Sequence, residues 1–133
     1  MLISKMLVLL NHSLTDEQVD EAKNRLKVEE IIEPPEGLKR FWGQMPVAEE
    51  EKQEVVKKFI YWIKENSSPL DYVLVQGEFG STFLIVDFCL KNSLVPLYAV
   101  SERKAEEAKN LDGSVEKKIV FKHRGFRKYK YWN

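Results

Sequence analysis

The sequence predicts an α/β fold: a mainly parallel sheet flanked by helices and finished by a C-terminal antiparallel β-hairpin. Three observations predict it. Short apolar runs (MLVLL, YVLV, VPLYAV) alternate with segments of helical period, which is how strands joined by crossover helices read. Such connections are right-handed and make neighbouring strands parallel. Asp112-Gly113 then separates two strand-like runs, a strong signal for a two-residue hairpin turn. With 133 residues and 44% hydrophobic content, the chain holds one well-cored domain, residues 1–133, and is too short for two.

The elements follow in order. Residues 3–10 form a strand buried on both faces and ended by Asn11, His12 and Ser13. Thr15 and Gln18 make a capping box, and Val19, Ala22 and Leu26 recur at helical spacing. Residues 28–32 (VEEII) read as a second strand stopped by Pro34 and Pro35, followed by a short helical piece from Leu38 to Gln44. Glu49 to Asn66 is the longest helix; Val55, Val56, Phe59, Ile60, Trp62 and Ile63 give it a wide apolar face. Pro69 and Asp71 mark the return to the sheet. Tyr72–Gln76 is the third strand, Ser81–Asn92 the next helix and Val95–Val100 the fourth strand. Residues 103–110 and 114–122 are the hairpin arms, extending the sheet edge or crossing the domain. Trp42 and Trp62 belong to the core.

Charge limits the partners. The 21 basic and 21 acidic residues cancel, so attraction to duplex DNA does not follow from net charge. Yet Lys117 to Asn133 holds seven Lys or Arg and no acid, which suits a compact anionic partner. The opening MLISKMLVLL is too short to span a membrane and lacks a cleavage site, so it reads as a strand and no membrane partner is expected. Cys89 lies in an apolar run, where a buried thiol in a reducing, cytoplasmic setting is the expectation.

In an open parallel sheet the ligand site lies outside the carboxyl ends of the strands. Those ends carry Asn11, His12 and Ser13; Gly77 to Thr82; and Ser101, Glu102, Arg103 and Lys104. Gly77 and Gly80 permit close backbone approach, and the N–H groups at the helix start, beside Ser81 and Thr82, favour an anion. Glu78 would repel phosphate. It either accepts a hydrogen bond from a ribose, an adenine or Arg103, or it begins the helix and favours its dipole. His12 is a candidate general acid or base, or else an ordinary loop histidine. The tail KKIVFKHRGFRKYKYW interleaves cations with aromatics, fitting a short nucleotide ligand or a protected edge strand. With one Cys, and with His12 and His123 at no ligand spacing, neither metal nor cofactor is expected.

The stretches DYVLVQGEFGSTFLIVDF, VPLYAVSERKAEE, DGSVEKKIVFKHRGFRKY and NHSLTDEQVDEAKNRL together resemble the small stand-alone CRISPR-associated proteins of type III systems related to CARF (CRISPR-associated Rossmann fold) domains. The resemblance spans nearly the whole chain. It implies a Rossmann-like homodimer that binds cyclic oligoadenylate, most often cyclic tetra-adenylate, across its two-fold axis. It also implies ring-nuclease activity without metal, the ribose 2′-hydroxyl attacking the adjacent phosphate to leave a 2′,3′-cyclic phosphate. The alternatives are a sensor that binds the same ring without cutting it and a small nucleotide- or RNA-binding module.

Roles on this reading come from position. Arg103 and Lys104 stabilise charge on the phosphate, and Ser13, Ser81 and Thr82 donate hydroxyls. His12, then Glu78, transfers the proton. Asn11, Gln76, Gly77, Phe79, Gly80, Ser101 and Glu102 contact the ligand, while Lys122, His123, Arg124 and Arg127 close over it from the hairpin. A two-fold dimer would present this set twice.

Overall fold

The computed structural model describes residues 3–132; Met1, Leu2 and Asn133, which end the apolar opening run and the basic tail, lie outside the described residues. The described residues form nine elements: β1 (Lys5–Leu9), α1 (Asp16–Asn24), β2 (Glu30–Ile32), α2 (Glu36–Gly43), α3 (Glu49–Asn66), β3 (Tyr72–Val75), α4 (Phe79–Lys91), β4 (Val95–Lys109) and β5 (Val115–Lys128). They build one five-stranded sheet in the order β2-β1-β3-β4-β5. The first four strands are parallel, and β5 runs antiparallel to β4. Strand order reverses between β1 and β3.

Period-two alternation sorts the strand residues onto two buried faces. Met6, Val8, Leu74 and Leu97 face α1, where Ala22 meets them with Phe126 of β5. Leu7, Leu9, Val73 and Val75 face the opposite layer, where α2, α3 and α4 supply Trp42, Phe59, Ile63, Ile85 and Cys89. Helices on both faces explain why these strands are apolar throughout. The α1 cap is the expected box: Gln18 N–H donates to Thr15 Oγ1 and Thr15 N–H to the Gln18 side chain. Asp71 locks the approach to β3, accepting from the N–H groups of Ser68 (2.7 Å) and Lys5 (3.1 Å).

Most boundaries shift: β1 is Lys5–Leu9 within the expected 3–10, α2 starts at Glu36 and not Leu38, β3 ends at Val75, and the second hairpin arm runs on to Lys128 where 122 was expected. Two further shifts have a local cause. The chain between α1 and β2 includes Lys27 at φ 59°, so β2 begins at Glu30 although Val28 is buried. Helix α4 starts at Phe79, two residues before the expected Ser81, because Glu78 caps it.

The larger correction concerns the hairpin. The expected fourth strand and first arm are one strand of 15 residues, and Ser101 to Lys104 lie inside it instead of in a loop. Pairing with β3 covers only Val95 to Leu97; beyond the sheet, β4 pairs with β5 alone as a projecting ribbon. SERKAEEAK carries charge on both faces and so lacks the apolar signature of a strand, yet alternate backbone groups bond to the partner arm while the outward-facing ones meet water, so the ribbon needs no burial. Between Val100 and Ser101 the register shifts: Val100 opposes Gly125 and Ser101 opposes His123, leaving Arg124 as the extra residue of a bulge. Gly125 takes φ 151° there, a conformation that favours glycine.

Candidate functional site

At the carboxyl ends of the parallel strands, the loop after β1 separates two cavities. One, of about 320 Å³, is lined by His12, Gln18, Gln76, Ser101, Phe121 and His123. The other, of about 310 Å³, is lined by Asn11, His12, Ser13, Lys39, Arg40 and Gly43. His12 belongs to both, and its Nδ1 lies 3.0 Å from the Ser13 carbonyl.

Three neighbours hold Gln76. Its N–H donates to Leu9 O (3.1 Å), its carbonyl accepts from the Trp42 indole (2.9 Å), and its side-chain oxygen accepts from Ala99 N–H (2.8 Å). The amide NH2 of Gln76 is then the part free to donate to a ligand.

His123 enters from β5, directly opposite Ser101. Only 7% of its side chain is exposed, and Nε2 lies 2.5 Å from the Glu21 carboxylate of α1. Glu21 also accepts from Phe126 N–H at 3.1 Å on both oxygens and from Arg25. Burial alone would raise the Glu21 carboxyl, but hydrogen bonds from His123, Phe126 and Arg25 outweigh it and hold the group below its usual value. His123 Nδ1 is buried without a hydrogen-bond partner.

The glycine turn after β3 serves the fold. Glu78 is the N-cap of α4, and its carboxylate accepts from Ser81 N–H (2.7 Å) and Gly80 N–H (3.3 Å) with Lys52 3.6 Å away. Those N–H groups are therefore taken by the chain's own anion, and of the two readings of Glu78 the helix-start one describes the geometry. The Ser81 hydroxyl beside it, the Ser81 and Gly80 N–H groups and Lys52 hold the Glu78 carboxyl below the usual carboxylate range. That hydroxyl and the hydroxyl of Thr82 are buried, and neither has a partner in hydrogen-bond geometry. Room expected at Gly77 for a phosphate is filled by Trp42, to whose Nε1 a Cβ on Gly77 would approach within 2.7 Å. Phe79 is almost fully exposed.

Ribbon alternation divides the remaining candidates. Ser101 and Arg103 share a face with His123 and Phe121, Arg103 standing opposite Phe121 but outside the cavity wall. Glu102, Lys104 and Lys122 occupy the other face, where Glu102 pairs with Arg124 at 3.3 Å. Arg127 opposes Tyr98 and donates to the Phe126 carbonyl. Thus His12, Gln76, Ser101 and His123 come together, Asn11 and Ser13 adjoin them, and Lys104, Lys122, Arg124 and Arg127 do not.

Glu21, Gln18, Lys39 and Arg40 were not expected at the site. A basic pair after Pro34-Pro35 was the visible signal for Lys39 and Arg40, but only the packing of α2 brings it to His12. Among the described residues, no three His, Cys, Asp or Glu side chains are grouped to hold a metal ion, and no helix is long and apolar enough to cross a membrane. His12, exposed between the two cavities, is the imidazole of the rim open to a ligand, with the Lys39 ammonium and the Arg40 guanidinium beside it as groups that attract an anion.

The sequence profile of the "Uncharacterized protein MJ1673 family" matches residues 4–127. Over 125 residues the chain is 36% identical to "Uncharacterized protein MJ1673" of Methanocaldococcus jannaschii, covering 94% of this chain and 96% of that protein. No solved structure matches. The chain belongs to the MJ1673 family.

Proposed function

We propose that this member of the MJ1673 family is a ring nuclease of type III CRISPR signalling. It binds cyclic oligoadenylate, with cyclic tetra-adenylate as the preferred ring. Cleavage is metal-independent, by attack of a ribose 2′-hydroxyl on the adjacent phosphate, and removes the signal. The observation that carries the reading is the pair of cavities sharing His12, where strand order reverses between β1 and β3. Switch points of this kind are where doubly wound, Rossmann-like sheets of order 2-1-3-4 take their ligands. Each cavity lies at the lower end of the ~300–1,000 Å³ typical of small-molecule sites, the scale of one nucleotide unit. One linkage would meet the histidine cavity while Lys39 and Arg40 hold a neighbouring phosphate.

A second copy completes the ligand site. Phe79, Phe83, Val86 and Leu90 form a stripe on α4 at spacings of four, three and four residues, the pattern of a helix-pair seam. Phe79 and Phe83 are 92% and 71% exposed, and the seam starts next to the rim. A ring lying across the resulting two-fold axis would meet the same residues from both copies.

Purified protein incubated with labelled cyclic tetra-adenylate and chelator is expected to yield linear products ending in 2′,3′-cyclic phosphate. Intact but bound ring would make the protein a sensor instead, and absence of binding would overturn the assignment altogether.

A further inference from the structure

We propose that Phe121 and Arg103, which oppose one another across the ribbon at the mouth of the histidine cavity, form a further subsite: the phenyl ring takes a nucleobase and the guanidinium takes the phosphate that follows it. The inference rests on the nucleotide reading above and deepens it by assigning where the ligand continues once one unit fills the cavity. The ligand class is an oligonucleotide of at least two units.

The bulge decides which side chains stand there. Up to Val100, which opposes Gly125, the two strands keep one register; beyond it Ser101 opposes His123 and Arg103 opposes Phe121. Without the extra residue, Ser101 and Arg103 would face Arg124 and Lys122 instead. The insertion therefore exchanges two cations for an imidazole and a phenyl ring on the face that closes the cavity. His123 is held against Glu21 with only 7% of its side chain exposed, so it serves as wall and leaves ligand contact to its neighbours. Phe121 belongs to the same wall yet is 70% exposed. Its ring has no core beneath it, and a stacked base would remove it from water.

Arg103 stands directly opposite Phe121, with Cα atoms about 5 Å apart as in any such pair. Its neighbours on that face are Ser101 and Ala105 along β4 and His123 and Ile119 on the diagonals, and none is a carboxylate. The adjacent acid, Glu102, lies on the opposite face and pairs with Arg124. A guanidinium without a carboxylate beside it suits a phosphate, which its planar fork grips through two hydrogen bonds. Among the described residues, no carboxylate lines the cavity. There the NH2 of Gln76, whose oxygen is engaged by Ala99 N–H, is a donor for sugar and phosphate oxygens. Oxygen-rich backbone inside, an aromatic platform at the mouth and a cation one residue pair further out follow the order of groups along a nucleotide chain.

The test measures binding of ribose 5-phosphate, adenosine 5′-monophosphate, the dinucleotide pApA and cyclic tetra-adenylate to the full chain and its variants. Phe121→Ala should weaken the three adenine ligands about 5- to 150-fold and leave ribose 5-phosphate unchanged, and Phe121→Tyr should restore the parent affinities. Arg103→Ala should weaken pApA and the ring about tenfold or more and spare the monophosphate. It should also lower the slope of log affinity against log salt by about 0.7, which loss of a merely structural contact would not do. Both side chains stand on the exposed ribbon, and thermal melts verify that each variant is folded. A folded Phe121→Ala protein with parent affinity for pApA and the ring would overturn the subsite, whether or not the ring is cut. Binding of pApA that depends on both residues, with no affinity for the ring, would support the subsite and overturn the cyclic ligand. A parent protein that binds none of the four would overturn both.

Discussion

The indole N–H of Trp42 donates to the carbonyl of Gln76 at 2.9 Å, with the ring pressed over Gly77. Through this contact α2 clamps the end of β3 and fixes where the Gln76 side chain stands. Gly77→Ala would drive a Cβ to 2.7 Å from Nε1, and the expected loss of stability is about 1–3 kcal/mol. Trp42→Phe, which keeps a ring and removes the donor, is expected to cost about 1 kcal/mol. Urea unfolding measures both; an unchanged midpoint for Gly77→Ala would show that the indole is not held there.

Glu78 caps α4 through two N–H groups. Glu78→Ala should cost about 1 kcal/mol, and Glu78→Ser, which retains a cap acceptor, much less. Its folded-state carboxyl is held below the usual 4.5, so its contribution is present above that value and lost as pH falls through the lowered one. The stability gap between parent and Glu78→Ala should therefore narrow in acid. A gap constant from pH 7 to pH 3 would argue against a charged cap.

The same sign holds for Glu21, whose carboxyl is also held below 4.5. It joins α1 to the base of the hairpin, so acidification should loosen that junction first. Hydrogen exchange at the Phe126 amide, which donates to both Glu21 oxygens, is expected to accelerate as pH drops below the carboxylate range, after correction for intrinsic exchange. Glu21→Gln should remove most of that dependence.

The outer ribbon contributes little to the core. Residues 103–121 face solvent almost throughout, and their backbone bonds run between the two arms. Removing residues 107–117 and closing the arms with a short turn is expected to change stability by no more than about 0.5 kcal/mol. Collapse of the fold on this deletion would show that the ribbon tip supports the domain.

Cys89 is wholly buried, and burial pushes its thiol up to about 12. Alkylation at pH 8 should be negligible in native protein and rapid in denaturant, which makes the single thiol a reporter of opening at the α4 layer. Fast labelling without denaturant would contradict that packing.

Local information carried much of the architecture. Apolar runs and helical periodicity identified where the strands at Tyr72 and Val95 start, the capping box at Thr15 and Gln18, and the Glu49–Asn66 helix with the bounds it has. These depend on neighbours within a few residues, so they are written in the order of the side chains. The union of the fourth strand with the hairpin arm was not legible, because backbone pairing on an exposed ribbon needs no apolar pattern. Nor was the use of the glycine turn, where Trp42 arrives from 35 positions upstream to fill the space at Gly77.

His12 and Gln76 were visible at strand ends, and the sheet sets them at one cavity. Tertiary structure alone paired Glu21 with His123 and carried Lys39 and Arg40 to His12. Sheet order and a one-residue bulge decide which side chains share a face, since each single-residue shift in register reverses the side on which a strand residue stands. That choice is made by pairing between distant segments, and no local pattern records it.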